Sequence, residues 1–227
     1  LLKKKISNQS FKKIITDCKR YKIDRFDLAE SYQLPKNYIE KIKKQKIHLK
    51  FEFSEYRFKN IDSIIIQKKI LTFLNKNNLK KIDTLLLHNQ NDLISSNSKN
   101  IYNALAHLKK NKKILNIGVS FYDTDVLIKV LNKYKIDSLQ VPINLFNHDF
   151  IKPSLIKLYK QLNLKVYARS IFLQGVLLNF FDNDIYSKKF NKFKNIFNNL
   201  KRFQTNNNLT PLEHSLNFKD SLKFLNG

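Results

Sequence analysis

The sequence predicts an α/β fold and, within that class, an eight-stranded parallel (β/α)8 TIM barrel that lacks its first and last strands. Three observations carry this. Short apolar runs alternate with segments whose apolar residues recur every three to four positions, the pattern of strands alternating with amphipathic helices. Polar residues gather at the C-terminal ends of several different strand runs, which is the habit of the barrel. No glycine-rich turn follows any strand in a chain with only three glycines, so the dinucleotide fingerprint of an open doubly wound sheet is missing. Six strands can be counted where a closed barrel has eight.

In chain order, Phe11, Ile14, Ile15 and Cys18 share one face of a helix over residues 10–21. A strand over 25–27 follows and breaks into a polar loop that runs to Gln33. Pro35 suits a first helical position, with Tyr38, Ile39 and Ile42 as the stripe of that short helix. Lys46–Phe51 is the second strand, and Ile61, Ile64, Ile65, Leu71 and Leu74 mark a long helix. The unbroken apolar run 84–87 is a strand buried on both faces, followed by a loop over 89–100. Helices bearing Leu105 and Leu127 flank the strand Ile114–Ser120. Further strands lie over 138–143 and 165–170, with a helix opened by Pro153 between them and a loop over 171–178 after the second. Phe190, Phe193, Phe197, Leu200 and Phe203 space as one long helix, and Thr210-Pro211-Leu212-Glu213 is a capping box that starts the last one.

Composition bounds the function. At 227 residues the chain can bury a substantial core. No apolar run approaches the roughly 18 residues that span a bilayer, and the opening Leu1-Leu2-Lys3-Lys4-Lys5 is too short and wrongly charged for a secretory signal. The single cysteine, Cys18, forbids an internal disulfide and sits at core spacing, so the expectation is a cytoplasmic protein. A net charge of +25 ordinarily suggests nucleic acid. Here only five of the 43 basic residues are arginine, and the lysines are spread evenly among Ile and Asn without a basic helix face. Nucleic acid and membrane partners are therefore not expected, and no metal-ligand spacing occurs.

The chemistry-bearing residues stand at strand ends. Asp27 ends the first strand and Tyr32 follows it by five residues; Lys50 closes the run 46–50 and His88 the run 83–88. Asp, Tyr, Lys and His at the ends of three successive strands form a proton-relay set. Each alone is compatible with ordinary polar packing.

The surrounding motifs resemble the aldo/keto reductase family over residues 5–218. Phe26-Asp27-Leu28-Ala29-Glu30-Ser31-Tyr32 is similar to its F-D-T-A-x-x-Y segment, and Ile82-Asp83-Thr84-Leu85-Leu86-Leu87-His88 to its I-D-L-x-L-x-H strand. Residues 113–120 match G-K-I-R-x-I-G-V-S without the leading glycine. Gln140 with Asn144 resembles Q-x-x-x-N, and Ala168-Arg169-Ser170 through Gln174-Gly175 resembles A-Y-S-P-L-x-x-G.

The resemblance implies NADPH-dependent reduction of a small carbonyl to an alcohol. Hydride delivery to a carbonyl carbon leaves an alkoxide that a general acid must protonate. Tyr32 is the implied acid; a free phenol, with pKa about 10, needs a cation to stabilise its phenolate. Lys50 is that cation, Asp27 fixes Lys50, and His88 orients the carbonyl. Ser120 and Gln140 match residues that bind the nicotinamide carboxamide, with Arg169 and Ser170 assigned to the same cofactor.

Departures from the family pattern bear on activity. Phe121 stands where many members carry Asn, and Arg169 where many carry a stacking Tyr. The glycine-bearing first strand and the last strand, which precedes the segment binding the adenosine 2′-phosphate, are expected to be missing. A single truncated barrel domain over 1–227 is thus expected to leave the strands at Arg25 and Lys165 with bare edges, to hold NADPH poorly and to aggregate. A non-catalytic remnant of a reductase is the alternative to an active enzyme.

Overall fold

The computed structural model describes residues 7–32, 35–56 and 61–227. The opening run 1–5 and Gln33 lie outside the described residues. The chain divides into two compact units, Leu1–Ser138 and Leu139–Gly227.

The first unit is a run of βα repeats. Helix α1 (Asn8–Arg20) leads into β1 (Arg25–Ala29), α2 (Lys36–Ile42), β2 (Lys46–Phe51), α3 (Ser63–Lys76), β3 (Ile82–Leu87), α4 (Ser98–Lys110), β4 (Ile114–Ser120) and α5 (Thr124–Lys133). Strands β1 to β4 pair in parallel and in sequence order. The register aligns Asp27, His48, Thr84 and Asn116 in one row across the sheet. Ala29, Lys50, Leu86 and Gly118 form the next row toward the C-terminal ends. Because strand side chains alternate with period two, each row shares a face and the intervening residues take the other.

Those intervening residues build the core with the helices. Leu49, Phe51, Leu85, Leu87 and Val119 are fully buried, as are Ile66, Ile70, Ala104 and Leu105. The Phe51 and Phe73 rings meet edge-on at 5.3 Å, tying β2 to α3. Each such aliphatic or aromatic burial stabilises by about 1.5–3 kcal/mol. The phase of α3 differs from the expected one: Ile64 and Ile65 point to solvent, and Ile66, Ile70 and Leu74 face inward. Three consecutive isoleucines fit several helical phases, and the Asp62 cap on the Ile64 amide at 2.8 Å sets where the helix begins. Cys18 is only partly buried, and Ile15 is the buried residue that α1 contributes to the core. The expected loop over 89–100 is shorter than read, since Gln90–Leu93 forms a one-turn helix and α4 already starts at Ser98.

Gly118 marks a close approach. A Cβ built there would stand 2.5 Å from Ser138 Oγ and 2.6 Å from Leu86 Cδ2, and Leu86 is itself fully buried. Gly118→Ala is therefore expected to cost about 1–3 kcal/mol by overpacking. Denaturant unfolding checks this, and an unchanged midpoint would contradict it.

Strand β5 (Ser138–Pro142) opens on the last residue of the first unit, and the second unit carries the rest of it with α6 (Pro153–Gln161), β6 (Lys165–Arg169), α7 (Val176–Asn179), α8 (Asp184–Lys189), α9 (Lys194–Asn206) and α10 (Pro211–Ser221). Strands β5 and β6 are neighbours, and the pairing continues past β5 where the Ile143 amide donates to the Arg169 carbonyl at 3.1 Å. A local core of Val176, Leu177, Phe180 and Phe197 is centred on the stacked rings of Phe180 and Phe197, 3.8 Å apart. The aromatic stripe over 190–203 is not one helix. It is broken into the end of α8, a one-turn helix Asn191–Phe193, and α9. The expected loop 171–178 contains left-handed Leu173, Gln174 and Gly175, and then begins α7. The Thr210–Glu213 capping box forms as read: Thr210 Oγ1 accepts from the Glu213 amide at 3.1 Å, and Glu213 Oε2 accepts from the Thr210 amide at 2.8 Å. The far edge of β6 is partly taken. The Asn226 amide donates to the Val166 carbonyl at 2.8 Å, and the Ala168 amide donates to the Gly227 carbonyl at 2.9 Å.

Candidate active site

Lys50 and Asp27 form the best-defined polar contact at the strand ends. Lys50 Nζ donates to Asp27 Oδ2 at 2.6 Å. Lys50 is 6% exposed and Asp27 42% exposed, so the ammonium is buried and its partner is not. An ammonium taken out of water loses several kcal/mol of solvation unless it is paired, and Asp27 supplies that pairing. The register explains the geometry: Asp27 lies one row below Lys50 on the adjacent strand.

Tyr32 closes the one-turn helix Glu30–Tyr32 that follows β1, and it is 52% exposed. Among the described residues no hydrogen bond joins its hydroxyl to Lys50, Asp27 or His88. His88 follows β3 directly, and its amide donates to the Phe51 carbonyl at 2.7 Å, which extends the ladder to that residue. It lines a cavity of about 310 Å³ with Glu52, Asn89, Gln90, Asn91 and Tyr122. The structure thus joins Asp27 to Lys50, sets His88 in a polar cavity, and leaves Tyr32 on an exposed turn.

Within the lower row, His48 is 2% exposed, with Nε2 3.4 Å from Asp83 Oδ2. Burial pulls its pKa below the ordinary value, the Arg25 charge adds to this, and the carboxylates of Asp83 and Asp27 only partly oppose it. A histidine with a depressed folded pKa binds its proton better when unfolded. Its contribution is therefore intact above about 6.5 and is lost as pH falls below that value. The expected slope is at most about 1.4 kcal/mol per pH unit for one group. His214, also lowered by burial, has the same sign in the second unit. Thermal melts across this window, compared between the native chain and His48→Gln, should show the variant losing less stability on acidification; identical slopes would refute it.

Ser120 closes β4, is 1% exposed, and its Oγ has no hydrogen-bond partner among the described residues. Phe121, beside it, is fully buried, so its ring is committed to the core. In the second unit Gln140 is buried on β5. Arg169 Nη1 donates to Ser170 Oγ at 3.3 Å, and Ser170 adopts a left-handed conformation at φ 58°. The turn is held by Asn144 Nδ2, which donates to the Ser170 carbonyl at 3.2 Å. Glu52, Gln90 and Tyr122 escaped the sequence reading. Glu52 and Gln90 each stand two residues beyond Lys50 and His88, a period-two signal that could have found them. Gln90 Oε1 accepts from the amides of Tyr122 and Asp123 at 2.7 and 3.1 Å, so it braces the start of α5.

Among the described residues there is no group of three metal-ligating side chains, and no helix is long and apolar enough to cross a membrane.

Parallel βα repeats with their polar chemistry at the C-terminal strand ends define an α/β protein of the barrel class. The chain belongs to the aldo/keto reductase family, whose model matches residues 2–219. Members of this family are NAD(P)H-dependent oxidoreductases acting on small carbonyl compounds. Aldo-keto reductase AKR11C1 from Bacillus halodurans, in its holo form, is 16% identical with a TM-score of 0.62, over 77% of this chain and 59% of that one. MGS-M4, an aldo-keto reductase enzyme from a Medee basin deep-sea metagenome library, is 18% identical with a TM-score of 0.59, over 83% and 68%. An aldo/keto reductase from Brucella melitensis is 17% identical with a TM-score of 0.54, over 75% and 66%. At these identities the likeness shows the fold alone: the aldo/keto reductase α/β barrel, here as an incomplete set of strands. The chain spans 59% of the length of the first of these proteins. No curated protein matches it.

Proposed function

We propose that the chain is a cytoplasmic barrel domain that reduces an aldehyde or ketone to an alcohol with NADPH, with Tyr32 as general acid. The reading rests above all on one observation, the 2.6 Å bond between buried Lys50 and Asp27. A buried, carboxylate-anchored ammonium beside the strand ends is the cation a phenol needs if it is to give up a proton at neutral pH. Tyr32 protonates the alkoxide oxygen, Lys50 stabilises the phenolate left behind, and Asp27 holds Lys50 in place. His88 donates a hydrogen bond to the carbonyl oxygen from the wall of its polar cavity, which orients small polar substrates.

NADPH supplies the hydride when bound. The buried Ser120 Oγ, without a partner among the described residues, fits an amide-bearing ligand, because a buried hydroxyl left unpaired costs about 1–3 kcal/mol. In the second unit, Gln140, Arg169 and Ser170 are assigned to cofactor binding by family resemblance. The exposure of Tyr32 favours a second reading, a non-catalytic member of the family that keeps the motif residues without turnover. Loss of NADPH absorbance in the presence of a reactive aldehyde, with the alcohol identified as product, separates the two. Saturable turnover supports the enzyme, and its absence at high protein concentration supports the non-catalytic reading.

A further inference from the structure

Outside the strand-end set, one buried-to-surface cluster joins the two turns that frame the site. Lys69, on α3, reaches away from the helix with its ammonium 2.8 Å from Glu55 Oε1 and 3.4 Å from Glu30 Oε2. It also lies 3.4 Å from the Glu52 carbonyl. The same ammonium stands over two rings, 5.5 Å from the centroid of Phe53 and 5.8 Å from that of Tyr56. Glu30 begins the one-turn helix Glu30–Tyr32, and Glu55 lies in the one-turn helix Ser54–Tyr56 that follows β2. Glu52, whose carbonyl completes the set, lines the cavity beside His88.

We propose that Lys69 is a positioning residue that pins the Tyr32 turn to the turn after β2. The argument is geometric. Tyr32 is two residues from Glu30 within a single helical turn, so fixing the Glu30 carboxylate fixes the backbone from which the Tyr32 ring projects. An isolated exposed ion pair contributes little, but a cation shared by two carboxylates and backed by two rings is a network, where such pairs matter. Burial lowers the ammonium's pKa, while the hydrogen bond to Glu55 and the charges of Glu30 and Glu55 outweigh it, so Lys69 stays charged through the neutral range. The guanidinium of an arginine could span the same carboxylates, whereas an apolar side chain of equal length could fill the ring cleft but not hold them.

The consequence for catalysis rests on the assignment of Tyr32 as the acid; the pin itself does not. The test is therefore fluorine NMR of the full chain labelled with fluorotyrosine, with the Tyr32 line assigned by its disappearance in Tyr32→Phe. In the native chain the Tyr32 line is expected apart from the position it takes in denaturant. In Lys69→Met it should move toward that position, and in Lys69→Arg it should return. Glu30→Gln, which leaves Lys69 paired with Glu55, should move the same line and serves if Lys69→Met fails to fold. Thermal melts confirm that the compared variants are folded. A Tyr32 line at the denatured position in the native chain, or unmoved in both Lys69→Met and Glu30→Gln, overturns the proposal. In an active preparation, kcat for carbonyl reduction should fall in Lys69→Met with KM for NADPH unchanged. If no reduction is detected in the native chain, the assignment of Tyr32 as the acid fails, and the fluorine lines still decide the pin.

Discussion

Tyr32→Phe should abolish carbonyl reduction while leaving NADPH affinity nearly intact. The substitution removes one oxygen from a side chain that is already 52% exposed, so little packing is lost and the fold should hold. What disappears is the phenol that the turn Glu30–Tyr32 carries directly after the Asp27 strand. General acid catalysis supplies roughly 10²–10⁴ in rate, and the loss in kcat should be at least of that order. On the proposed assignment the nicotinamide amide is met by Ser120 at the end of β4, which the change does not touch. Steady-state kinetics on a reactive aldehyde, with NADPH binding followed by fluorescence, decides the matter. A variant with near-native turnover would remove Tyr32 from the mechanism, whatever the motif around it resembles.

Much of this arrangement was legible in the residues because it depends on local rules. Asp27, Lys50, His88 and Ser120 could be placed within two residues of strand ends because each closes a short strand-like run, and the strand boundaries hold to within a residue or two. Thr210 could be read as a cap because capping is a contact within three residues. The helix faces were less legible. The Ile64-Ile65-Ile66 run satisfies more than one phase, and only packing against β2, through contacts such as Phe51 with Phe73, selects Ile66. The aromatic spacing from Phe190 to Phe203 is periodic enough for one helix, yet α8 has its own cap in Asn183, and the chain turns between the two helices to stack Phe197 on Phe180. Lys69 was invisible because its meaning lies in Glu30, 39 positions earlier, and Glu55, 14 earlier. A lysine in a chain with 43 basic residues carries no signal until its partners are known.

Lys50→Met should separate electrostatics from packing at the same site. Lys50 is 6% exposed, so the methionine replaces a buried ammonium by an apolar chain of similar length. Exchanging a buried charge for a well-packed apolar group is often neutral or stabilising, and Asp27, being 42% exposed, can turn to water once its partner is gone. The melting temperature should therefore stay level or rise. Activity should move the other way, because the phenolate formed as Tyr32 gives up its proton has lost the buried cation near the end of β2. Losing a single preorganised electrostatic group costs roughly 10²–10³ in kcat. Asp27→Asn makes the contrast. It leaves the ammonium buried with only a neutral acceptor, so stability should fall, while the cation the phenolate needs is still present, so turnover should fall far less than in Lys50→Met. Melts and kinetics on the two variants together give the answer. If Lys50→Met unfolds the protein, or if Asp27→Asn loses as much activity as Lys50→Met, the pair is a structural brace and the phenolate-stabilising role must be given up.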